Sequence, residues 1–143
     1  MKYPDDAFDE SSLLEDAKPL YEGKDPAHDF SHALRVCRNA RAIGEEEEGA
    51  DLQIVTLAAL LHDAGSGPKL REKSAEAERR RLAAVEDLLK RRDMTEDVRN
   101  RVLRAVETHS FSKGRKPDSL EAAVLQDADR LDAIGAIGIA RVF

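Results

Sequence analysis

Residues 52–63 read LQIVTLAALLHD. Eight of the eleven residues before His62 are apolar, more than the single apolar stripe of a surface helix, so the segment is expected to be a helix buried on all sides. Asp51 is placed to cap its start. The polar residues His62 and Asp63 stand at its C-terminal end, where AGSGPKL at 64–70 breaks the helix with two glycines and a proline. An imidazole and a carboxylate set side by side at the end of a buried helix are costly without a partner. A divalent cation satisfies both, because neutral imidazole and carboxylate are common metal ligands.

Outward from this segment the chain reads as helix throughout. A short helix is expected over Ser12–Tyr21, ended by Gly23. A longer one is expected from about His28 to Glu48, with Phe30, Leu34, Val36, Cys37, Ala40 and Ile43 at helical spacing and Gly49 closing it. Ser74 can cap AEAERRRLAAVEDLLKRR at 75–92, and Thr95 can cap a helix to about His109. SFSKGRKP is a loop, and Asp118 with Glu121 three residues on resembles a capping box opening a helix through Asp132. AIGAIGIARVF is apolar and continues it. Period-two runs of β-branched residues are missing, and Ala, Leu, Glu and Arg favour helix. The expected architecture is therefore an all-α bundle of six or seven helices in one domain, residues 1–143.

Composition narrows the function. The chain is 41% hydrophobic, 36% charged and 4% aromatic, with a net charge of −6. That balance argues against a nucleic-acid partner. It does not exclude a small anionic substrate, since a bound metal dominates the local field. The one cysteine, Cys37, cannot form an internal disulfide, which fits a reducing, cytoplasmic setting. The acidic N-terminus has no apolar run and reads as no signal peptide, and no stretch approaches the ~20 residues of a membrane span.

The four histidines are His28, His32, His62 and His109. His28 and His32 share a helix face at i, i+4. Three segments, HALRV at 32–36, LAALLHD at 57–63 and DADRLDA at 127–133, follow one another in a pattern of histidine, His-Asp dyad and distant aspartate on separate helices. In this the sequence resembles the HD-domain metal-dependent phosphohydrolase superfamily. It is more closely similar to a bacterial subgroup of small HD hydrolases that share HDFSH (28–32), PK (68–69), HSFS (109–112) and DADRLDAIGAIGIAR (127–141). The likeness covers roughly residues 25–143.

The resemblance implies that His32, His62, Asp63 and one aspartate of DADRLDA hold a divalent ion. The superfamily context AD-x-L selects Asp129. A helical wheel drawn through Leu120, Val124, Ala128 and Leu131 instead puts Asp127 beside the apolar face and Asp129 further round. Asp129 is taken as the ligand, with Asp127 and His28 as alternative or supporting residues. Two imidazoles and two carboxylates suit Mn²⁺ best, with Fe²⁺, Co²⁺, Ni²⁺ or Zn²⁺ acceptable and Mg²⁺ less so. Asp63 and His109 are the candidate catalytic residues. Lys69, Arg71 and Arg35 are the candidate phosphate contacts, followed by Arg130. The charged runs at 79–81, 90–92 and 45–48 read as solvated helix faces.

The implied activity is hydrolysis of a phosphate ester or anhydride of a nucleotide-like molecule, with nucleoside triphosphates and pyrophosphate release suggested by the subgroup alone. The alternative is a catalytically silent, metal-binding helical module with a regulatory or assembly role. Relatives in the subgroup run some tens of residues past the GIAR segment, so the expectation is either a C-terminally incomplete chain or an end that packs on another subunit, as in a homodimer.

Overall fold

The computed structural model describes residues 10–23, 29–65, 75–109 and 116–142, with side chains through residue 135. Among the described residues there are six α-helices and no strand. They are α1 (Glu10–Ala17), followed by a 3₁₀ turn (Lys18–Tyr21), α2 (Phe30–Glu46), α3 (Leu52–Leu61), α4 (Ala75–Arg91), α5 (Glu96–Thr108) and α6 (Leu120–Val142).

Short polar residues set most of the helix starts. The Asp29 carboxylate accepts the His32 backbone N–H at 2.9 Å and caps α2, which begins at Phe30. Asp51 accepts from the N–H groups of Gln53 and Ile54 at the head of α3, and Thr95 caps α5 through Val98 N–H. At α6 the expected cap is corrected. Ser119, not Asp118, accepts the Ala122 N–H, and Asp118 instead pairs with Arg104. Glu121 does not turn back to the helix start. It is buried and accepts from Arg101, which also reaches Asp51. This chain of charges ties the starts of α3 and α6 to α5.

Helix α3 is the axis of the bundle. Every residue from Ile54 to Leu61 is buried, and α3 packs against α2, α5 and α6. The buried Tyr21 donates its hydroxyl to the Leu60 carbonyl, which draws the 3₁₀ turn onto α3, and burial pushes the phenol well above its ordinary pKa. Gly65 adopts φ +79° just past α3, and a Cβ there would sit 2.9 Å from the Ala84 Cβ. The glycine therefore allows the chain both to turn and to pass close to α4.

Helix α4 ends in a Schellman motif. Asp93 adopts φ 57°, its N–H reaches the Lys90 carbonyl, and Met94 N–H reaches Leu89. Arg92 departs from the expectation of a solvated charge run. Its side chain is 7% exposed and binds Asp16 and Ser12 of α1. The other predicted surface charges behave as expected, with Arg80, Lys90 and Arg91 in i, i+4 pairs with Glu76, Glu86 and Asp87. Cys37 is buried and free, and burial raises its thiol pKa to about 11. No described helix is long and apolar enough to cross a membrane.

Candidate metal centre

Four helices deliver the polar side chains that meet at one end of α3. His32 lies in the first turn of α2, packed beneath α6. His62 is the C-cap of α3, followed directly by Asp63. His109 is the C-cap of α5, and Asp129 lies in mid-α6.

The placement of Asp129 corrects the helical wheel. Leu131 is 50% exposed and Leu120 37%, whereas Ala122, Leu125 and Ala128 are fully buried. The inward face of α6 is thus centred nearer Leu125 than the Leu120–Leu131 line. This rotation brings Asp129 and Asp132 inward. Asp127 is exposed, roughly 160° round the helix from Asp129, and does not join the cluster.

The ligand atoms of His32, His62 and Asp129 all lie within 4.8 Å of one another. His32 Nε2 is 3.2 Å from His62 Nε2 and 3.1 Å from Asp129 Oδ1, and His62 Nε2 is 3.5 Å from the same oxygen. Asp63 Oδ2 stands 3.5 and 3.4 Å from the two imidazole nitrogens. Ligand atoms about 2.1 Å from a common ion lie about 3.0 Å apart along an octahedral edge and about 3.4 Å apart along a tetrahedral one. The spacings among His32, His62 and Asp129 fall near these values and their donor set suits a divalent transition ion, whereas Asp63 is not part of that three-residue group.

The far sides of the imidazoles are already engaged. His62 Nδ1 donates to the Ala59 carbonyl at 2.6 Å, and His109 Nδ1 donates to the Val106 carbonyl. His32 Nδ1 donates to Asp132 Oδ2 at 2.8 Å. Each arrangement leaves Nε2 as the atom turned toward the cluster, with its lone pair available when the ring is neutral. His109 Nε2 is 4.0 Å from Asp129 Oδ2, and its ring meets His62 edge-on at 5.4 Å. Gln126 donates to the His109 carbonyl and holds the end of α5 against α6.

The electrostatics follow from crowding. Burial alone would lower the His62 pKa, but the charges of Asp63 and Asp129 outweigh it and raise the value to about 9. Burial works against ionisation of Asp129, yet hydrogen bonds from His32 and His62 hold its carboxyl far below the usual range. Burial, then the nearby His62, lowers the His109 pKa. Asp129 is 37% exposed and Asp63 23%, against 0% for His62, so the cluster opens to solvent along its carboxylate side.

The remaining candidates divide into two groups. Arg35 is not a free cation, because Nε and Nη2 grip the two oxygens of Asp132 at 2.8 and 3.3 Å. Arg130 is exposed on α6. His28, Lys69 and Arg71 lie outside the described residues. Asp132 is the residue that sequence reasoning passed over. Its spacing of three from Asp129 in DADRLDA was the available signal, since i and i+3 share a helix face.

The profile of the HD domain matches residues 29–134. The chain belongs to the HD domain family. Its described helices accord with that all-α fold, and the family's metal-binding character accords with the His/His/Asp cluster. The chain is 40% identical over 120 residues to the uncharacterised protein YpgQ of Bacillus subtilis (strain 168), a match covering 81% of this chain and 56% of YpgQ. The chain thus spans little more than half the length of that curated relative. Among solved structures it resembles a predicted HD superfamily hydrolase from an uncultured Thermotogales bacterium, at 36% identity and a TM-score of 0.74 over 94% of this chain and 74% of that one. It also resembles Bacillus subtilis YpgQ in complex with ADP, at 33% identity and a TM-score of 0.66 over 99% of this chain and 65% of that one.

Proposed function

We propose that this HD domain holds a divalent ion, Mn²⁺ by preference, between His32, His62, Asp63 and Asp129, and hydrolyses a phosphate ester or anhydride of a nucleotide-like small molecule. The observation that carries the reading is the convergence of His32 Nε2, His62 Nε2 and Asp129 Oδ1 at polyhedron-edge spacings of 3.1–3.5 Å. A divalent ion bound there supplies polarisation of a phosphoryl oxygen and a water acidic enough to attack phosphorus near neutral pH.

The chain's own groups supply the rest. The two imidazoles and Asp129 place the reaction at the wall of the bundle, and the carboxylate side admits an anionic substrate once the ion offsets its charge. His109, with its pKa lowered by burial, enters neutral with Nε2 unprotonated. It is suited to accept a proton from the attacking water and return it to the leaving-group oxygen. Asp63, next to His62, orients the water and the imidazole. The ADP complex of YpgQ supports a nucleotide as the substrate class, and release of pyrophosphate from a nucleoside triphosphate is the specific reaction proposed.

The test is phosphate and pyrophosphate release from a nucleotide panel, with Mn²⁺ and with chelator, comparing wild type with Asp63→Ala. Metal-dependent turnover lost in the variant supports the reading. A folded, metal-loaded protein that turns over no member of the panel overturns it and leaves a silent metal-binding module.

A further inference from the structure

We infer that Asp132, clamped by Arg35, is the positioning residue that makes His32 a metal ligand and sets the register of α6 against α2; the inference rests on the metal-centre reading above. The reason lies in where the three histidines sit on their helices. The last four carbonyls of a helix lack intrahelical partners. His62 and His109 are both C-caps, and each turns Nδ1 back onto such a carbonyl three residues earlier, that of Ala59 or Val106. His32 is in the first turn of α2, where the Asp29 carbonyl is already taken by the Ala33 N–H. Its Nδ1 turns instead to another element, donating to Asp132 of α6 at 2.8 Å.

Arg35 completes the device. It stands one turn after His32 on the same side of α2 and fixes both oxygens of Asp132. The carboxylate, 13% exposed, thus meets an imidazole and a guanidinium at once. Because Asp129 and Asp132 lie one turn apart on α6, the same clamp places Asp129 Oδ1 3.1 Å from His32 Nε2. Arg35 accordingly acts through Asp132 rather than on substrate phosphate. A carboxylate behind a ligating imidazole fixes its tautomer and raises its basicity, and loss of such support weakens metal binding roughly 10- to 100-fold.

The experiment measures Mn²⁺ affinity calorimetrically, and the visible spectrum of bound Co²⁺, for the wild-type chain and for Asp132→Asn, Asp132→Ala, Arg35→Ala and Asp132→Ala/Arg35→Ala. Metal-free melting temperatures are recorded alongside. The expected result is a dissociation constant raised roughly 10- to 100-fold in both Asp132 variants. Arg35→Ala should cause a smaller loss and add nothing in the Asp132→Ala background. The Co²⁺ spectrum should change with Asp132→Asn. If Asp132→Ala fails to fold, Asp132→Asn and the surface variant Arg35→Ala decide. A folded variant set with wild-type Mn²⁺ affinity, differing only in metal-free melting temperature, overturns the inference and leaves Asp132 as a helix tie. A wild-type chain that takes up no Mn²⁺ overturns the metal-centre reading itself.

Discussion

Metal binding should expel a proton from His62, and the structure gives the size of the effect. The imidazole is fully buried between Asp63 and Asp129, and their charges raise its pKa to about 9. A group with that pKa is mostly protonated at pH 7 and mostly neutral at pH 10. Ligation needs the neutral ring, so each ion bound near neutral pH releases about one proton from His62. The apparent affinity should therefore rise about tenfold between pH 7 and pH 8 and level off above pH 9. The assay is titration calorimetry with Mn²⁺ in two buffers of different ionisation enthalpy, repeated across this range. The raised pKa also has a signed effect on stability. Its contribution to the metal-free fold is complete below about pH 6.5, the unfolded value, and is lost as pH rises through about 9. Metal-free melting temperature should thus fall between those limits, and saturating Mn²⁺ should flatten the fall. Affinity that is level from pH 7 to pH 8 with no proton released would mean that the ion displaces no proton from His62.

Other expectations follow from single residues. Asp129→Ala should weaken Mn²⁺ binding by more than the roughly 100-fold upper cost of a supporting residue, whereas Asp127→Ala, on the exposed side of α6, should leave it at the wild-type value in the same titration. Leu57→Ala removes a fully buried side chain from α3 and should cost about 2–5 kcal/mol in denaturant unfolding. Gly65→Ala meets both φ +79° and the Ala84 Cβ and should cost about 1–3 kcal/mol by the same measurement.

Much of this architecture was readable because it rests on local pattern. The apolar run before His62 announced a buried helix, and Asp51 and Thr95 announced their helix starts by residue type. What escaped depends on which way a helix faces. Four apolar residues of α6 drew a wheel through Leu131, yet the helix turns its Leu125 side inward and leaves Leu131 exposed. Small residues such as Ala122 and Ala128 define that face by close approach rather than by hydrophobic bulk. Charged residues were misjudged for a related reason. Arg92 looked like its solvated neighbours, but the Schellman turn at Asp93 carries it against α1. Arg35 was read as a phosphate contact from its place beside His32, and only the packing of α2 on α6 reveals that Asp132 also engages it. Asp118 and Ser119 are both good caps by type, and a one-residue choice between them is made by the helix path rather than by propensity.

The most direct measurement is anomalous diffraction from crystals of the chain soaked in Mn²⁺. One strong manganese peak is expected about 2.0–2.3 Å from His32 Nε2, His62 Nε2 and the carboxylates of Asp63 and Asp129. A peak elsewhere, or none between these residues at saturating Mn²⁺, would contradict the metal-centre reading.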